Sequence, residues 1–230
     1  MKKAILSSLI VLLAFSAFAQ FDFMSGQQNN NTQQNITKVS LSLVPHYLAF
    51  YGLRADYDYQ NGHKAYVFAP QLFFISRETH PISYRDADLY KLYGAGLQVN
   101  RKFIRSTSYN YTGYLSVGLG YNFFYTKFKE FIPEATTLYD NTVYLYSMQD
   151  ITGMIHRLEV NATVGLENNL PSGIMLEPYL GIGYRYSMPF YSADILNPFD
   201  RAFDYAYTGP IFIIGLKIGV YKILSQNSTF

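Results

Sequence analysis

Apolar and polar residues alternate along most of the chain with a period of two, the period of a β-strand whose faces meet different surroundings. The clearest stretch is 113–126. Leu115, Val117, Leu119, Tyr121, Phe123 and Tyr125 share one face, while Ser116, Gly118, Gly120, Asn122 and Thr126 share the other, with Phe124 out of step. The same alternation predicts strands over 51–59, 90–101, 155–168, 174–187 and 210–222. A further strand fits between the turn at 60–62 and the loop at 77–88, and a shorter one over 38–44 precedes Pro45-His46. That makes eight strands. A ten-strand count would need pairs hidden in the loops, where 142–146 is the candidate.

Two features set which face points in. The polar faces are small and glycine-rich (Gly94, Gly96, Gly118, Gly120, Gly181, Gly183, Gly215, Gly219), as a crowded barrel interior requires. The strands also exceed the ~5–6 residues common in soluble proteins and suit the ~9–11 tilted residues that cross a bilayer. The pattern therefore predicts an all-β, transmembrane, antiparallel up-and-down barrel, with its apolar face to lipid. Short connections at 60–62, 102–109 and 169–173 alternate with long ones at 77–88, 128–152 and 188–208, so the long loops fall at one end. Tyr57, Tyr59, Phe123, Tyr125, Tyr184 and Tyr186 lie near strand ends on the lipid face, the place of an aromatic girdle.

The first twenty residues break the pattern. MKKAILSSLIVLLAFSAFAQ has a Lys2-Lys3 start, an apolar stretch too short to span a bilayer, and an Ala17-Phe18-Ala19 cleavage site. This is a secretory signal peptide. The expected organisation is a signal peptide at 1–19, a Gln/Asn-rich flexible leader at 20–37, the barrel at 38–222 and a tail at 223–230.

Composition then sharpens the picture. The 230 residues include 23 Tyr and 18 Phe but no Cys or Trp, and only 15% are charged. Missing Cys excludes disulfides and thiolate metal sites. Hydrophobic residues make up 49%, yet mean hydropathy is −0.01, as two opposed faces that cancel would give. The formal charge of +2 is Lys2 and Lys3. Taking those two from 18 basic residues leaves 16 against 16 acidic ones, a balance that argues against a nucleic-acid partner.

The alternating strands with inward Gly-x-Gly, the signal peptide ending before Gln20 and the closing strand at 210–222 resemble the small outer-membrane β-barrel proteins of Gram-negative bacteria. The tyrosine-rich style is similar to those of the Bacteroidota, and the architecture to OmpA-type eight-stranded barrels without a peptidoglycan-binding domain. The resemblance implies an outer-membrane location and export through a cleaved signal peptide. It implies contact with outer-membrane lipid and lipopolysaccharide and recognition by the outer-membrane assembly machinery, in which a terminal aromatic such as Phe230 takes part.

Two residue sets carry the candidate chemistry. Arg54, Asp56, Asp58, Arg157, Glu159, Glu167, Glu177, Arg185 and Lys217 fall on inward faces. In a narrow eight-stranded barrel they form either an ion-pair network that fills the lumen or a polar path for small solutes. Phe131, Tyr139, Tyr144, Tyr146, Phe190, Tyr191, Phe199, Phe203 and Tyr205 lie in the long loops. They either bind an extracellular ligand or pack on one another above the barrel. A lipid-modifying enzyme would need a base, and His156, near Ser147 and Asp150, is the best of four scattered histidines (His46, His63, His80, His156). No catalytic motif frames it, and nothing points to a metal or another cofactor. The expectation is a non-enzymatic barrel.

Overall fold

The computed structural model describes residues 34–76, 88–107, 111–138, 141–193, 195–201 and 204–228. Eight strands run in chain order: β1 Gln34–Leu43, β2 Gly52–Asn61, β3 Lys64–Ser76, β4 Asp88–Thr107, β5 Tyr111–Leu138, β6 Asn141–Asn169, β7 Ile174–Tyr191 and β8 Gly209–Ser228. Each pairs with its neighbour, and the sheet closes into a barrel of eight strands, not ten. The ladders from β1 through β8 are antiparallel, as short connections demand. A 3-10 helix, Pro45–Phe50, joins β1 to β2.

Alternation decides inside from outside as expected. Leu115, Val117, Leu119 and Tyr121 face outward on β5, while Ser116, Asn122 and Thr126 are buried between the walls. Tyr57, Tyr59, Tyr184 and Tyr186 are exposed on the outer wall. Where the chain must turn tightly, glycine supplies the left-handed backbone, at Gly62 (φ 59°) after Asn61 and at Gly173 (φ 82°) before β7.

Several boundaries differ from the sequence reading. Residues 128–152 are not a loop. β5 and β6 stay paired from Lys127↔Thr152 out to Leu138↔Asn141, and beyond Lys129, the last β5 residue paired with β4, they form a two-stranded ribbon above the barrel rim that also absorbs 142–146. β1 begins at Gln34, inside the expected leader. β4 continues to Thr107, so Lys102 sits in the wall, not in a turn. β8 continues to Ser228, past the expected end at Lys222 and into the expected tail. The signal peptide, most of the leader, His80, Tyr139, Phe203 and Phe230 lie outside the described residues.

Phe124, the residue out of step on β5, has a physical reason. It points inward with the polar residues, but at its level the interior is apolar. Phe73, Leu92, Phe124, Phe128, Ile151 and Ile155 form a buried cluster at the end that carries the β5–β6 ribbon. The lumen is thus layered, with aromatic packing toward the ribbon and charge toward the opposite end.

Candidate functional site: the barrel interior

Glu177 on β7 is the hub of the charged layer. It is fully buried and accepts hydrogen bonds from Lys102 Nζ (2.9 Å) and Tyr114 OH (2.5 Å), with Lys217 Nζ also at 2.9 Å. Lys217 also reaches Asp56 (3.0 Å), and Asp56 takes both arms of the Arg54 guanidinium at 2.6 and 3.0 Å. Lys102 bridges to Asp58 at 2.5 Å, and Lys38 pairs with Glu167. Higher up, Arg185 donates from Nε to Glu159 at 2.8 Å. Buried charges must be paired to be tolerated, and these are.

The expected lumen residues are therefore all inward, and most meet in one network. Arg157 differs. It is buried, and its guanidinium lies over the Phe124 ring at 4.7 Å and the Phe73 ring at 5.9 Å. Sequence reasoning missed Lys38 and Lys102, the partners of Glu167 and Asp58. Extending the parity of Asn100 by two residues would have placed Lys102 inside. Asp58, Glu167 and Glu177 bring carboxylate oxygens within 4.8 Å of one another, but Lys38, Lys102 and Lys217 already pair with them.

Between the charged layer and the aromatic cluster lies a cavity of about 380 Å³. Arg54, Lys102, Arg157, Arg185 and Lys217 line it with a single carboxylate, Glu159. His46, on the 3-10 helix, borders it too.

The loop aromatics divide into two groups. Phe131, Tyr144 and Tyr146 stand exposed on the β5–β6 ribbon, and Phe190 is exposed near the end of β7. Phe199 and Tyr205, expected among the loop-binding residues, are instead buried as a plug. Phe199 meets Phe128 edge-on at 5.0 Å, and Tyr205 packs on Phe124 at 5.2 Å. Asn197 fixes the turn by accepting from Tyr191 OH (2.7 Å) and Phe199 N (3.1 Å). An apolar core continued above the strands needs aromatic caps, which is why the loop carries them. Phe199→Ala is expected to cost roughly 3–5 kcal/mol of local packing. Limited proteolysis would then cleave within 192–208 while the barrel itself stays folded.

On the outer wall, His156 Nδ1 shares a 2.7 Å hydrogen bond with Tyr121 OH. Ser147 Oγ donates instead to Glu134 on the ribbon. The two residues engage different partners.

No family model and no curated protein matches the chain. Solved structures of similar form include CarO2 of Acinetobacter baumannii (11% identity, 84% of this chain and 100% of that one, TM-score 0.38). A major outer membrane protein of Thermus thermophilus aligns at 11% identity over 81% of this chain and 98% of that one, TM-score 0.42. CarO of Acinetobacter baumannii aligns at 10% identity over 85% and 100%, TM-score 0.34.

Proposed function

We propose that this chain is a non-enzymatic outer-membrane β-barrel protein of a Gram-negative bacterium, in the manner of the Bacteroidota, exported through a cleaved signal peptide. Its role is structural and binding. One observation carries the membrane reading: Leu41, Phe68, Leu97, Leu119, Val160 and Leu180 are exposed on the outer wall, while Lys102, Glu177 and Lys217 are buried within it. A soluble protein rarely leaves a contiguous apolar surface beyond a few hundred Å². Lipid and lipopolysaccharide cover this belt, and Tyr57, Tyr59, Tyr184 and Tyr186 form its interfacial girdle. The assembly machinery inserts the barrel.

The binding part is the ribbon. Phe131, Tyr144 and Tyr146 offer large aromatic surface on a backbone already fixed by pairing, which lowers the entropy cost of holding an extracellular ligand. Below the cavity, the ion pairs of Lys102, Glu177 and Lys217 close the lumen.

The expected result is a protein of the outer-membrane fraction that migrates faster on a gel unless boiled and gives no steady current in planar bilayers. Recovery in the soluble periplasmic fraction would sink the membrane reading. The cavity is the feature that favours a channel instead. Steady single-channel currents lost on Glu159→Gln would replace the closed-lumen reading with that one.

A further inference from the structure

The wall of the barrel is incomplete beside β8. Gly219 of β8 lies against the backbone of Leu41 and Ser42, which fixes where β1 and β8 meet. β1 ends at Leu43, but β8 continues in the opposite direction as far as Gly209. The chain does not carry the wall onward from Leu43. It turns into the lumen as the 3-10 helix, where His46 approaches Gly215 and Tyr47 hydrogen-bonds with Arg54 at 3.1 Å. Among the described residues, no strand continues β1 alongside residues 210–214.

The cavity lining shows what this gap does. On β4, β5 and β6 the lining residues alternate, as at Gln98, Asn100 and Lys102 or Glu159, Asn161 and Thr163. That is what a space inside a closed wall must touch. On β8 the lining runs through Pro210, Ile211, Phe212, Ile213 and Ile214 without a break. Both faces of one strand can border one space only if that space passes around the strand's free edge. The edge is apolar, with Phe212 69% and Ile214 80% exposed. Pro210 brings no N–H, and its carbonyl accepts from Tyr207 OH at 3.2 Å. The cavity thus opens sideways onto the surface assigned to lipid.

The inner end of the same space is polar and incompletely bonded. Arg157 Nε, Ser116 Oγ, His46 Nδ1 and both amide atoms of Asn161 are buried without hydrogen-bond partners. Such groups are costly to bury unless water or a ligand meets them. Arg54, Lys102, Lys217 and Arg185 are paired with Asp56, Asp58, Glu177 and Glu159, which leaves Arg157 as the lining cation with no ion pair among the described residues, so the group that fits is an anion. A volume of about 380 Å³ lies within the ~300–1,000 Å³ of small-molecule sites.

We propose that the cavity takes a single-chain anionic amphiphile, a long-chain carboxylate, from the membrane through the gap between β1 and β8. Its carboxylate lies toward Arg157, with Asn161 and Ser116 as further donors, and its chain leaves across Ile211 and Ile213 into the bilayer. The proposal rests on the membrane reading above.

The test is native mass spectrometry of the barrel released from detergent after incubation with palmitate, palmitic acid methyl ester or acetate. Folding of each protein is first checked by heat-modifiable migration. The expected result is one saturable palmitate per barrel, with at least tenfold weaker retention of the methyl ester. Arg157→Gln should weaken palmitate retention at least tenfold. Ile213→Trp, which narrows the portal without touching the charges, should do the same. No palmitate adduct on a folded barrel would overturn the proposal. So would equal retention of acid and ester, unchanged retention in a folded Ile213→Trp variant, or saturable acetate binding without palmitate binding. A wild-type protein that never forms a heat-modifiable barrel would instead overturn the membrane reading.

Discussion

Glu177→Ala is expected to weaken the barrel by about 3–5 kcal/mol, the cost of leaving buried charges without their partner. The side chain is fully buried and meets two lysines and a tyrosine hydroxyl. Removing it leaves Lys102 with Asp58, while Lys217 and Arg54 share Asp56 alone, so one buried positive charge is left uncompensated. Glu177→Gln keeps an oxygen for one donor and should lose less. The measurement is the urea midpoint of the compact gel form in lipid vesicles. An unchanged midpoint for Glu177→Ala would mean that the charged layer fills space without holding the strands together.

Gly219→Val is expected to be more severe, abolishing the heat-modifiable form. A Cβ at Gly219 would sit 2.3 Å from Leu41 O and 2.6 Å from Ser42 Cα, both backbone atoms of the strand that closes the barrel. Side chains can rotate out of such a clash, but a paired backbone cannot without opening the seam. Ordinary overpacking costs ~1–3 kcal/mol because neighbours can shift, and here they are fixed. Gly120 is the control. The nearest atom to a Cβ there is 3.5 Å away, on the Gln98 side chain, so Gly120→Ala should unfold within ~0.5 kcal/mol of wild type. Equal behaviour of the two variants would show that the β1–β8 approach is loose.

Much of this fold is legible in the sequence because two solvents impose one rule on every strand. A residue facing lipid must be apolar and its neighbour must fit a crowded interior, so 113–126 and 174–187 announce themselves. The rule stops at the rim. On the ribbon, Phe131, Tyr144, Leu145 and Tyr146 are exposed together, the alternation fades, and 128–152 reads as loop although its pairing is unbroken. β1 reads short for a similar reason, since Gln34 and Asn35 continue a Gln/Asn-rich stretch. The inward charges are legible by parity. Their partners are not, because Lys38–Glu167 and Asp58–Lys102 depend on how the strands meet across the lumen. Phe199 and Tyr205 read as surface because an irregular segment has no period to separate a plug from a binding loop. The gap beside β8 is hidden in a helix of six residues that folds inward, where alternation has no meaning.

The charged layer also bears on the order of events during assembly. Apart from Arg54–Asp56 within β2, Arg185–Glu159 between β6 and β7 and Lys217–Glu177 between β7 and β8, its ties run between β1 and β6, β2 and β4, β2 and β8, and β4 and β7, so Lys38, Asp58, Lys102 and Glu167 are neutralised only across the lumen. A sheet missing β8 would bring Asp56 and Glu177 toward the hydrocarbon without Lys217. Partial insertion is therefore penalised until the last strand arrives, and strand closure and entry into the bilayer should proceed as one kinetic step.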